Sequence, residues 1–91
     1  MAVLVKDPEA RLDYAIDWSD YLDMGETIVE SLWEVTPAES LSVFVSEHGD
    51  SRSQVTLEGG TVRDIYAVTN RITTSLGRID DRSLTIRVQE R

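Results

Sequence analysis

An all-β fold, an antiparallel sandwich of about six to eight short strands, is what this 91-residue chain predicts. Three observations carry that prediction. Apolar and polar residues alternate with period two through most of the chain, the signature of strands buried on one face. Turn residues recur about every 8–12 positions, the spacing of sandwich domains. No stretch of roughly ten residues carries the apolar stripe that a core helix needs.

The elements follow in order. Tyr14, Ile16 and Trp18 alternate with Asp13, Ala15 and Asp17, which predicts a strand of about six residues. Ser19 to Gly25 holds a capping serine and a terminal glycine, so at most a short helical turn is expected near residues 19–24. From Glu26 to Val35, the residues Val29, Ser31, Trp33 and Val35 share one face, while Ile28 and Leu32 fall on the other. That strand is either covered on both sides or switches phase at a bulge near Val29. Pro37 ends it. Leu41, Val43 and Val45 alternate with Ser42, Phe44 and Ser46 in the next strand, and Glu47 to Ser51 reads as a polar turn. Val55 and Leu57 mark a short strand closed by Gly59 and Gly60.

The strongest pattern runs from Asp64 to Thr74. Tyr66, Val68, Asn70 and Ile72 occupy one face and Ile65, Ala67, Thr69, Arg71 and Thr73 the other. Gly77 and the pair Asp80 and Asp81 mark a hairpin connection to a last strand, Ser83 to Val88. Tyr66 stands near the start of the penultimate strand, where immunoglobulin-like sandwiches carry a tyrosine corner. The fold is therefore read as an immunoglobulin-like antiparallel sandwich, with residues 1–10 an N-terminal arm and 11–91 one sandwich domain.

Composition narrows the function. A chain this short holds one core. It has no cysteine, so a disulfide framework, a thiolate metal site and a cysteine nucleophile are all excluded. The net charge of −8 repels phosphate backbones, and no nucleic-acid partner is expected. The four apolar residues after Met1 are too few for a signal-peptide core or a membrane span, so synthesis in a cytoplasm and no membrane partner are expected. Eight of the nine basic residues are arginine, the cation enriched at protein interfaces; host bias explains the same excess.

The chemistry-bearing residues do not assemble into a site by spacing. His48 is the single histidine and sits in a polar turn without a nucleophile elbow near any serine. Gly59 and Gly60 are followed by neither a lysine nor a helix, so no phosphate loop is present. Asp13, Asp17, Asp20 and Asp23 cluster without a calcium-loop pattern and read as a solvated face. Catalytic, cofactor and metal sites are accordingly expected to be absent, and no cofactor is assigned. Trp18 and Trp33 read as core anchors, with carbohydrate stacking as the alternative. A carbohydrate-binding or adhesion module predicts an exposed Trp18 or Tyr21.

Two segments read as protein contacts. The hairpin from Asn70 to Arg82 stays polar on both faces and carries Arg71, Thr73, Arg78 and Arg82. The arm carries Val3, Leu4 and Val5 ahead of Pro8, an apolar run suited to ordering on a neighbour.

Taken together, five segments resemble the phage fiber-tail adaptor family, small virion proteins of tailed bacteriophages. They are Asp13-Tyr14-Ala15-Ile16-Asp17-Trp18-Ser19, Glu26-Thr27-Ile28, Ser31-Leu32-Trp33-Glu34-Val35, Val68 through Arg78, and Arg82-Ser83-Leu84-Thr85-Ile86. The stretch from Pro37 to Ser53 matches no motif. The resemblance implies a non-enzymatic virion component that links tail or neck proteins to a fibre, with no catalytic residues to carry over. Its partners would be other virion proteins, contacted in multiple copies of a symmetric assembly.

Overall fold

The computed structural model describes residues 3–90; the first two residues of the expected arm, 1–2, lie outside the described residues. Among the described residues, seven strands form two sheets: β1 (Val3–Lys6), β2 (Arg11–Asp17), β3 (Ile28–Thr36), β4 (Leu41–His48), β5 (Arg52–Gly59), β6 (Ile65–Thr74) and β7 (Ile79–Val88). One sheet has the order β1-β7-β6-β3 and the other β2-β5-β4. The molecule measures 42 × 24 × 19 Å.

The core lies between the sheets, where the period-two pattern places it. Val55 and Leu57 from β5 meet Tyr66, Val68, Ile86 and Val88 from β6 and β7, all fully buried or nearly so. Toward the other end Ile16, Trp18, Ile28 and Ile72 form a second cluster, and Trp33 packs against both. The phase switch in β3 is a bulge between Ile28 and Glu30. It buries Ile28, turns Val29 out to solvent, and leaves Val35 facing the core.

Three boundaries differ from the sequence reading. Val3–Lys6 does not hang free: it pairs in parallel with Thr85–Val88 of β7, with Leu4 packed against the core. A four-residue run with its partner some eighty residues away leaves no periodic trace in the sequence. Second, β7 begins at Ile79, so Asp80 and Asp81 lie in the strand and the turn is residues 75–78. Arg71 of β6 stands directly opposite Asp81 and offsets the poor strand propensity of the acidic pair. Third, β4 runs through His48, which shortens the polar turn to residues 49–51. Residues 18–27, by contrast, form a chain of turns, with Tyr21 N–H and Leu22 N–H both donating to the Trp18 carbonyl at 2.9 and 3.2 Å.

Tyr66 makes the expected corner. Its hydroxyl accepts from the Thr61 N–H at 2.9 Å and lies 2.9 Å from Ser40 Oγ, joining the β3–β4 and β5–β6 loops. At the same end Lys6 is fully buried, and its Nζ donates to the carbonyls of Gly59 (2.7 Å) and Asp7 (2.9 Å). Desolvation lowers the pKa of Lys6, and the two carbonyls replace part of its lost hydration.

Candidate functional site

At the other end, the β2–β3, β4–β5 and β6–β7 connections come together. Trp18 N–H donates to Ser51 O and Ile28 N–H to Asp50 O, each at 2.8 Å, and Ser75 N–H donates to Thr27 O at 2.8 Å. The polar interior behind this end is organised by Asn70. Its Oδ1 accepts from Trp18 Nε1 at 3.0 Å and from Ser53 Oγ, and its Nδ2 donates to Ser31 Oγ and Leu32 O at 2.9 Å each. One amide thus spends all four of its hydrogen-bonding positions joining the two sheets.

A carboxylate performs the matching role at the loops. The Glu26 side chain is completely shielded from solvent and receives the Arg78 guanidinium in a two-point contact, with Arg78 Nε 2.9 Å from Oε2. Thr74 Oγ1 and the Asp23 N–H donate to it as well. The Arg78 hydrogen bonds, ahead of all else, hold the Glu26 pKa down at about 2. Arg78 also donates to Tyr21 O at 3.2 Å and lies over the Tyr21 ring at 4.5 Å. These contacts fasten the β6–β7 hairpin to the turns before β3.

The residues expected to make contacts fall into three groups. Arg78 and Arg82 are engaged inside the chain. Arg82 lies over Trp18 at 4.3 Å, donates to Asp17 O at 3.1 Å and pairs with Asp20 at 3.2 Å. Leu4 faces the core. Val3, Val5, Arg71 and Thr73, by contrast, follow the outward phase of the four-stranded sheet, opposite or beside Thr85, Arg87, Asp81 and Ile79. Arg71 there makes a two-point contact with Asp81, Nε to Oδ1 at 2.8 Å and Nη2 to Oδ2 at 3.1 Å. That contact lowers the Asp81 pKa and raises that of Arg71.

The same outer face holds apolar residues that sequence reasoning did not assign to contacts. Leu32, opposite Arg71, is 57% exposed, Val29 is 56% and Ile79 is 62%. A shallow groove of about 370 Å³, lined by Leu32, Trp33, Glu34, Thr69, Arg71 and Asp81, opens beside them. The signal was present for Leu32, which broke the inward phase of its strand. Trp18 is fully buried and Tyr21 half-buried with the Arg78 guanidinium over its ring, so neither is the exposed stacking surface that the carbohydrate reading expects.

Three of the acidic residues near the loops hold a structural partner: Asp17 the Ser19 N–H at 2.9 Å, Asp20 Arg82, and Glu26 Arg78. His48 is exposed, with Nδ1 3.0 Å from its neighbour's carbonyl. Fold and surface together define an immunoglobulin-like sandwich whose loop ion pairs fasten its own elements and one of whose sheet faces carries exposed apolar side chains. The family model of the podophage GP4 fiber-tail adaptor protein gp77 matches residues 6–87, and the chain belongs to that family of phage structural proteins. Among solved structures, the solution structure of the PKD domain from KIAA 1837 protein is similar, with 21% identity and a TM-score of 0.54. The match covers 97% of this chain and 78% of that one, and it supports the fold. No curated protein matches the chain in sequence.

Proposed function

We propose that the chain is a non-enzymatic virion adaptor that joins tail or neck proteins to a fibre, in several copies around a symmetry axis. The observation that carries this reading is the family match over residues 6–87, nearly the whole chain. The molecule suits the role physically. An elongated sandwich 42 Å long offers separated surfaces to two partners, and its loops are tied down by Glu26–Arg78 and Thr27–Ser75 contacts. Modest contacts per copy gain strength when several copies engage together. The protein would be made in the host cytoplasm and reside in the virion.

The experiment is deletion of the gene from the parent phage, followed by cryo-microscopy of purified particles. Particles that retain heads and tails but lack fibres are expected. Particles with a full fibre complement would overturn the adaptor role.

A further inference from the structure

We propose that the outer face of the β1-β7-β6-β3 sheet, in its half nearest the β6–β7 turn, is the docking surface for a partner protein whose contact patch is apolar and rimmed by lysine and arginine. The proposal deepens the adaptor reading and rests on it.

Four large apolar side chains are presented there without cover: Val29, Leu32, Leu76 and Ile79, each more than half exposed. They are not scattered. The register sets Glu30, Thr73 and Ile79 side by side across β3, β6 and β7, beside the bulged Val29, and sets Leu32, Arg71 and Asp81 in the next outward row. Leu76 lies in the turn just beyond. Exposed apolar side chains scattered singly need no explanation, whereas several gathered around Thr73 and Arg71 at one end of a sheet face mark a contact surface.

Rigidity is the second observation. The two-point Arg71–Asp81 contact links β6 to β7 in the middle of the patch, and Arg78, held by the shielded Glu26 carboxylate, ties down the turn that carries Leu76. A surface held this way binds at a reduced ordering cost. The groove beside Leu32 adds a recess that an apolar side chain of the partner would enter.

Charge identifies the occupant. The outward rows carry three carboxylates, Glu30, Glu34 and Asp81, against one guanidinium, Arg71, on a chain of net charge −8. A second copy would set acidic rim against acidic rim, so the face is not a self-contact. The β4 edge is the rival surface, with Val43, Phe44 and Val45 exposed. Its regular hydrogen-bonding edge is broken by a bulge between Val43 and Val45, and the Arg11 guanidinium lies 3.8 Å over the Phe44 ring.

The test uses particles purified from a phage lacking this gene, incubated with the purified full chain and assayed for incorporation. A Leu32→Ser/Ile79→Ser variant and a Glu30→Lys/Glu34→Lys variant are each expected to lose at least tenfold in incorporation, while melting as the unaltered chain does. Phe44→Ser/Val45→Ser, on the rival edge, is expected to change incorporation less than twofold. Patch variants that incorporate normally, or a greater loss from the edge variant, would overturn the docking surface. So would sedimentation showing that the unaltered chain dimerises through the patch. If the unaltered chain does not associate with the particles at all, the adaptor reading itself fails.

Discussion

Asn70 and Tyr66 show how much of this fold depends on single polar atoms. Asn70 lies at a buried position of an otherwise apolar strand face, and its amide answers two donors and two acceptors on both sheets. Asn70→Ala strands the Trp18 indole N–H and the Ser53 hydroxyl in the core, and should lower stability by about 3 kcal/mol in urea unfolding. Tyr66→Phe keeps the ring packing but removes the acceptor of the Thr61 N–H, for an expected loss of about 1–2 kcal/mol by the same measurement. Gly59 is constrained by space as well as conformation. A Cβ there would stand 2.2 Å from the Ser40 carbonyl oxygen at a φ of +82°, so Gly59→Ala should be among the most damaging small substitutions in the chain.

At the level of elements, two attachments decide whether the sandwich is complete. The first is the hairpin to the β2–β3 turns through Glu26 and Arg78. The folded-state pKa of Glu26 is about 2 against an ordinary 4.5. A depressed carboxylate pKa means the contribution is fully present above about pH 4.5 and is lost as pH falls through about 2. Thermal melting across that window should show a steep fall in Tm, and Glu26→Gln should flatten it. The second attachment is β1. Removing residues 1–6 deletes the strand that covers β7 and the Lys6 clamp on Gly59. A lowered Tm and faster hydrogen exchange along Thr85–Val88 are the expected results.

For the molecule as a whole, charge and shape set what it associates with. A net charge of −8 repels polyanions, so the purified chain should leave duplex DNA unshifted in a gel assay at moderate salt. The same charge favours a basic partner and makes docking salt-sensitive, so incorporation into particles lacking the chain should weaken as sodium chloride rises. Apolar burial on the partner would resist that effect, so residual binding at high salt measures how much Val29, Leu32, Leu76 and Ile79 contribute.

The two-layered all-β fold was legible because a strand records its buried face locally, at every second residue. Tyr66, Val68, Asn70 and Ile72 pointed inward by that rule, and the bulge at Val29 announced itself as a break in phase. The absence of cysteine and the acidic charge were likewise properties of the chain alone. What only the tertiary structure decided is which distant residue each side chain meets. Val3–Lys6 became a strand because β7 offers it an open edge, and Arg78 and Arg82 became internal fasteners because Glu26 and Trp18 fold against them. An arginine meeting a buried carboxylate has the same local sequence as one facing a partner; the difference lies in contacts made across 52 and 65 residues of chain. The docking surface proposed above accordingly lies on the sheet face beside those arginines, where Leu32 and Ile79 are exposed.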